Sequence, residues 1–431
     1  MHIFITTIGT RGDVEPYVAL GQRLITSGHR VTLCSCEKFR DFITEQGLEY
    51  GYLNNSFMEL MQTDIAHDLM EKNSNIFEFI KSFLRLYKRV DPMQWEAIRD
   101  ITRAAELAQP DLILYHPKAF IGAHVAQKLG IPKALTFLMP MMIPTGDRPD
   151  MGFPKLPLGR GYNRMTSWLM LKIMNMTCRK YVKGWRKEHG LDPKPRGMNF
   201  LHDHQGKPIT YLHGYSSLVC KRPADWPEHV HVTGYWPMEY DRNWMPPDEL
   251  TAFLEAGDPP VYVGFGSMSG RNPQRLTRIV IDAIKQAGVR AILATGWGGL
   301  QTEDLPDTIF KIDQVPHGWL FPRCDAVIHH GGAGTTAAGL RAGKPTVICP
   351  FAFDQPFWGK QVFELGVGSK PLPQRKLTAT KLAAAIRKVT GDPSIQRKAQ
   401  SLGEQLREED GIGNAIAVIE KLVAEQSHSD R

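Results

Sequence analysis

Two glycine-rich turns and one acid–amide pair hold the residue types best suited to chemistry. In the first turn, His329 and His330 lead into Gly331-Gly332-Ala333-Gly334, followed by Thr335 and Thr336. An apolar run, Ala326 to Ile328, precedes the turn, and good helix-opening residues follow it. Backbone N–H groups left open at a helix start bind anions, phosphate above all. Glycines let the backbone approach such an anion, Thr335 or Thr336 can add a hydroxyl donor, and His330 is placed to donate as well. After the next apolar run, Asp354 and Gln355 offer an acceptor and an amide, a pair that suits sugar hydroxyls. The competing reading is a tight turn with structural glycines and a satisfied histidine, because a short Gly-rich turn alone is weakly specific. Gly339 to Lys344 is one residue short of a Walker loop, with Pro345 where its Ser or Thr belongs, and the turn does not match G-x-G-x-x-G. The second turn, Gly9-Thr-Arg-Gly12-Asp13, sets an aspartate where a strand meets a helix.

The elements that position these groups alternate. His2 to Thr7 reads as a strand, Val14 to Ser27 as a helix and Arg30 to Ser35 as a second strand. Asp13 therefore lies at the carboxyl edge of a parallel sheet, where open α/β sheets bind ligands. Residues 54–109 read as helical and rich in Phe, Met and Leu, which makes either core or an apolar pocket wall. Strands follow at Asp111 to Tyr115, Lys133 to Phe137, Ile209 to Leu212 and Ser217 to Cys220, with a helix from Lys118 to Leu129. The stretch 231–247 is aromatic and proline-rich and marks a boundary. Beyond it, Val261 to Phe265 opens onto Gly266-Ser267, Arg290 to Ala294 onto Thr295-Gly296-Trp297, and Ile309 to Ile312 precedes Val315-Pro316-His317. Pro273 to Ala287 reads as a helix, and helices from Thr378, Pro393 and Gly413 finish the chain. Domains are expected at 1–235 and 248–410 with a linker at 236–247, and a C-terminal helix at 411–431 is expected to pack back on the first domain.

At 431 residues the chain exceeds one ordinary core. A composition of 42% hydrophobic and 23% charged residues is that of a globular protein. No apolar run reaches the ~18 residues of a membrane span, no leader peptide is read at the start, and six scattered cysteines fit a reducing cytosol. The net charge of +7 is uneven: 155–196 holds eleven basic residues against two acidic ones, interleaved with Trp168, Met170, Met174 and Met176. That segment suits peripheral contact with an anionic membrane or, alternatively, a solvated helix packed by its apolar side. No nucleic-acid module, no D-x-D and no His/Cys/Asp set with metal-ligand spacing occurs.

The ordered motifs Gly9-Thr-Arg-Gly-Asp13-Val-Glu-Pro16, Gly266-Ser-Met, Val315-Pro-His317, His329-His-Gly-Gly-Ala-Gly-Thr-Thr336 and Pro350-Phe-Ala-Phe-Asp-Gln355 resemble nucleotide-sugar-dependent glycosyltransferases of the GT-B fold, family 1. The sterol glucosyltransferases are most similar, and antibiotic-tailoring enzymes come next. The resemblance implies an α/β fold of two Rossmann-like parallel-sheet domains facing a cleft. It implies Asp13 as the base for an acceptor hydroxyl, with Gly12 beside it near the donor. Gly266, Ser267, His330, Gly332, Ala333, Gly334 and Thr335 would hold the diphosphate, and Val315 and His317 the uridine. Trp297 would be the candidate base-stacker, and Asp354 with Gln355 would bind the sugar. The implied reaction is inverting and metal-independent, with UDP-glucose as donor, no cofactor, and a lipophilic acceptor, a sterol first. A polyketide or phenolic acceptor, a UDP-sugar epimerase and a non-catalytic UDP-sugar binder are the alternatives. Partial burial is expected to raise the Asp13 pKa.

Overall fold

The computed structural model describes residues 1–61, 76–195, 197–240, 244–266, 273–294 and 305–429. By their contacts the described residues form two compact units, one from 1–238 together with 410–429, the other from 239–409.

The first unit is built on seven parallel strands: β1 (His2–Thr6), β2 (Arg30–Cys36), β3 (Glu49–Leu53), β4 (Leu112–Tyr115), β5 (Lys133–Phe137), β6 (Thr210–His213) and β7 (Val230–Val232). Their order is β3-β2-β1-β4-β5-β6-β7. Every residue of β1 and β4 is buried, as expected of parallel strands, whose two faces are both covered. The order reverses between β1 and β4, and such a reversal opens a crevice beyond the carboxyl ends of the two strands. Helix Arg11–Thr26 leaves β1 at that point, and the single turn Pro117–Ala119 leaves β4. Helix Gly411–Ser429 closes the unit. Asn414 donates to the Thr233 carbonyl at 2.9 Å, Glu420 meets His29 at 3.2 Å, and Ala415, Ile416 and Ile419 are buried.

The second unit repeats the scheme with β8 (Val261–Gly264), β9 (Ala291–Ala294), β10 (Ile309–Ile312), β11 (Val327–His329) and β12 (Thr346–Ile348), all parallel, in the order β10-β9-β8-β11-β12. Val261, Val263 and Phe265 join an apolar layer with residues of helices Pro273–Ala287 and Ala379–Gly391. Tyr262, pointing the other way, packs with Trp319, Leu320 and Phe321. The strand period of two thus builds a core on each face. Here the order reverses between β8 and β11, which places Gly266 and the His330–Gly332 turn at neighbouring strand ends.

Several expectations need correction. Ser217 to Cys220 is a turn and not a strand, because its backbone bonds locally: the Val219 and Cys220 amides both donate to the Ser216 carbonyl. Lys118 lies in the single turn 117–119, and the α-helix begins at Gly122. Strands β3 and β7 have no counterpart in the sequence reading. Trp236, read as the start of a linker, is buried, donates to Thr233 Oγ1 at 3.0 Å and meets the edge of Tyr17.

Candidate active site

In the first unit the site is built on Asp13, in the first turn of its helix. Thr10 N–H donates to Asp13 Oδ2 at 2.9 Å, and the Thr7 hydroxyl donates to the Asp13 carbonyl at 2.9 Å. Gly9, at φ +152°, is needed for close approach, since a Cβ there would lie 2.1 Å from Oδ2. The other carboxylate oxygen, Oδ1, accepts from Lys118 Nζ at 3.0 Å. His116, at the end of β4, accepts the Lys118 amide on Nδ1 at 3.1 Å and meets the edge of Phe137. Burial pulls its pKa down to about 3, and the nearby Lys118 adds to the effect, so at neutral pH this imidazole is neutral.

The expected rise in the Asp13 pKa is overturned. Burial does push it up, but the Lys118 charge, the proximity of His116, and the hydrogen bonds from Lys118 and Thr10 together outweigh burial. The carboxyl is held below its ordinary range and is ionised at neutral pH. The Lys118 ammonium also stands 5.6 Å from the centre of the Phe57 ring. Phe57 belongs to the lining of an open, mostly apolar pocket with Ile8, Leu53, Asn54, Val90, Met93, Gln94 and Ala97. Gly12, assigned to the donor by resemblance, is exposed in the same first turn, in this unit and not in the one that holds the other residues so assigned.

In the second unit the histidine-glycine turn folds as a compact cradle. Gly331 has φ +98°, and a Cβ there would meet Ile348 Cγ2 at 2.6 Å. Gly332 is the N-cap of helix Ala333–Arg341, and a Cβ on it would lie 2.7 Å from His330 Nε2, so the imidazole packs over the turn. The first intrahelical bond of this helix runs from Thr336 N–H to the Gly332 carbonyl at 2.9 Å, and the Ala333, Gly334 and Thr335 amides precede it. The Thr336 hydroxyl is buried and donates to the same carbonyl, which leaves half-buried Thr335 as the hydroxyl that can reach a ligand. Burial lowers the His330 pKa to about 4, with His317 adding to the effect, and its Nδ1 is buried without a partner among the described residues. Gly266, at φ +57°, comes close enough that a Cβ would stand 3.3 Å from the His330 ring. His317 stacks on Phe321 at 4.3 Å, and Val315 packs against the same apolar layer.

Asp354 and Gln355 adjoin this cradle, since a Cβ on Gly331 would fall 3.2 Å from Gln355 Cβ. Asp354 Oδ2 accepts from Trp358 Nε1 at 2.9 Å. Gln355 is buried, and its Oε1 accepts the Phe351 and Ala352 amides at 2.7 and 3.2 Å, so its NH₂ is the group left for a ligand. Phe353, just before the pair, is a non-glycine residue in the left-handed region, at φ +58°, with an exposed ring; strain of this kind concentrates at ligand loops. Ser267 and Trp297 lie outside the described residues. Among the described residues no group of three His, Cys, Asp or Glu converges as a metal site. Sequence reasoning missed Lys118 and His116 as site residues. Their signal was position, at the end of the strand that pairs with β1.

Comparison with known proteins places this geometry. Residues 3–144 match the glycosyltransferase family 28 N-terminal domain, and residues 281–415 match the erythromycin biosynthesis protein CIII-like C-terminal domain. A sterol 3-beta-glucosyltransferase of Arabidopsis thaliana is 36% identical over 453 residues, covering 100% of this chain and 67% of the relative. Another from Eremothecium gossypii is 35% identical over 96% of this chain, which spans only 33% of that protein. The solved glycosyltransferase of kitacinnamycin matches with a TM-score of 0.70 at 21% identity, covering 98% of this chain and 99% of its own. The calicheamicin glycosyltransferase matches with a TM-score of 0.70 at 17% identity, covering 98% of each chain. At such identities the structural likeness speaks for the fold alone.

Proposed function

Because the chain belongs to the family 1 glycosyltransferases of the GT-B fold and is a UDP-glycosyltransferase, we propose that it moves glucose from UDP-glucose to the hydroxyl of a lipophilic acceptor, a sterol first. The observation that carries this reading is the position of Asp13. It lies at the strand-order reversal of the first unit, and one lysine separates it from an apolar pocket. The curated relatives, named for sterol glucosylation, support the choice of acceptor.

In this reading Asp13 takes the proton of the acceptor hydroxyl as its oxygen attacks the anomeric carbon. The bond from that carbon to the diphosphate oxygen breaks on the opposite side, so the configuration inverts. The charge that grows on UDP is met by the Ala333, Gly334 and Thr335 amides at a helix start and by the His330 N–H. Asp354 and the Gln355 NH₂ hold glucose hydroxyls, and Val315 and His317 face the uridine. These groups stabilise the leaving group without a protein-held metal.

The test is UDP release from UDP-glucose with cholesterol, with a phenolic aglycone or with neither, each before and after EDTA. Cholesterol-dependent release that is insensitive to EDTA is expected. Release with the phenolic alone would replace the acceptor class, and release restored only by added Mg²⁺ would overturn the metal-free mechanism. Conversion of UDP-glucose with no acceptor would favour an epimerase.

The reading extends to peripheral contact with an anionic membrane through helix Gly159–Glu188. One face of it is buried through Thr166, Leu171, Tyr181 and Trp185. The other exposes Met165, Trp168, Leu169, Ile173 and Met176, with exposed Lys172, Arg179 and Lys183 interleaved or following. A run of large exposed apolar side chains beside cations is what an interfacial helix presents. The basic residues do not all contribute: Arg186 is buried against Gln127 and His124, Lys180 pairs with Asp91, and Arg160 and Arg164 pair with Asp225. No described helix is long and apolar enough to cross a membrane. The double substitution Trp168→Asp and Ile173→Asp is expected to abolish co-sedimentation with phosphatidylglycerol vesicles, and unchanged binding would remove the proposal.

A further inference from the structure

The Asp13–Lys118 ion pair poses a chemical problem. A carboxylate held ionised by a lysine is a weaker base than a free one, yet it is the group placed to take a proton from an alcohol. The geometry resolves the conflict if the lysine belongs to the reaction. Lys118 Nζ lies 3.0 Å from Asp13 Oδ1, the pair keeps 41% and 24% side-chain exposure, and the ammonium faces the Phe57 wall of the apolar pocket. An acceptor whose apolar body lies against the Phe57 wall can bring its hydroxyl to the exposed side of the pair.

We propose that Lys118 is a second catalytic group, donating a hydrogen bond to the acceptor oxygen while Asp13 Oδ1 receives that oxygen's proton. This rests on Asp13 being the base. Before the step the ammonium faces a carboxylate and a neutral hydroxyl. As the proton crosses to Oδ1, negative charge leaves Asp13 and develops on the acceptor oxygen, which then bonds to the anomeric carbon as UDP departs. Lys118 keeps its own protons throughout. The favourable charge contact that Asp13 loses is regained at the acceptor oxygen, so the ammonium that weakens the base also makes the hydroxyl more acidic. Among the described residues Lys118 is the one cation paired with the Asp13 carboxylate. His116 is neutral, Cys36 is pushed up to about 11 by burial, and buried Tyr17 is raised further while its hydroxyl bonds to Thr136.

The experiment is the pH dependence of kcat and kcat/KM for cholesterol glucosylation in wild type, Lys118→Met, Lys118→Arg and Asp13→Asn, with the thermal unfolding midpoint and circular dichroism of each as a check on the fold. Removing the cation leaves burial to raise the Asp13 pKa, so Lys118→Met should bring an acid limb into the measured range. Its plateau rate should nevertheless fall by about 10²-fold, the usual cost of removing one donor to a developing oxyanion, and Lys118→Arg should recover much of it. If Lys118 only tunes the base, the limb would move while the plateau held or rose, since the base is then stronger; that result overturns the inference. An unchanged profile also overturns it. If Asp13→Asn retains the wild-type rate, the assignment of the base fails, which is a separate outcome.

Discussion

Asp13→Asn is expected to lower kcat by about 10²–10⁴-fold, the range general base catalysis contributes, with UDP affinity unchanged. The amide is nearly isosteric and can still accept the Thr10 N–H that now reaches Oδ2 at 2.9 Å, so the helix start survives. The substitution removes the proton acceptor and the charge that holds Lys118. UDP affinity should hold because the groups proposed to bind the diphosphate belong to the other unit. The pH dependence has a definite sign. Burial would raise the carboxyl's pKa, but Lys118, His116 and the hydrogen bonds bring the net shift below the ordinary value. The base is protonated only below that lowered pKa, so wild-type kcat/KM should stay flat on the acid side down to about pH 5, well above an ordinary aspartate pKa. An acid limb centred near neutrality would show that the ion pair does not persist in the free enzyme. Wild-type rates for Asp13→Asn would remove Asp13 from the reaction.

Gly332→Ala is expected to weaken UDP binding by about 10²-fold, the scale of losing several aligned, charge-assisted donors. The new Cβ would lie 2.7 Å from His330 Nε2, closer than real contacts allow, so either the imidazole or the turn must move. Each movement spoils the cradle, one by swinging His330 away and the other by turning the first-turn amides. Gly391→Ala, at the end of helix Ala379–Gly391 in the same unit and away from the turn, is the control for the fold, because a Cβ there meets nothing within 4 Å. Calorimetric titration with UDP would separate them: a stable Gly332→Ala protein that binds UDP as wild type does would show that the turn is not the diphosphate site.

Much of this arrangement could be read from residue types because its key segments are locally consistent. Val327 to His329, the glycine turn and the helix from Ala333 carry strand, turn and helix signals in sequence, and so do the stretches around Asp13 and Val261. Where the reading failed, local signals were weak or the determinant was remote. Glu49–Leu53 is a short strand at the sheet edge with a central glycine and alternating exposure, and Val230–Val232 has three residues close behind Pro227. Ser217 to Cys220 has strand-like residues, but Ser216 draws the amides of Leu218, Val219 and Cys220 into a turn. The sign of the Asp13 pKa shift was beyond reach for a different reason. It depends on Lys118, 105 residues away in sequence, which only the pairing of β1 with β4 brings alongside.

The closing helix Gly411–Ser429 carries a consequence for biosynthesis. Its Asn414, Glu420 and buried Ile416 and Ile419 complete the first unit, but they are made after the whole of 239–409. On the ribosome the described part of the second unit, 239–409, is one continuous segment, free to fold as soon as it emerges, whereas the first must wait for the helix that packs on helix Arg11–Thr26. Translation order and folding order are therefore inverted for the closing step. A stall or truncation just before Gly411 should release a chain whose later half is native and whose earlier half is the substrate for chaperones.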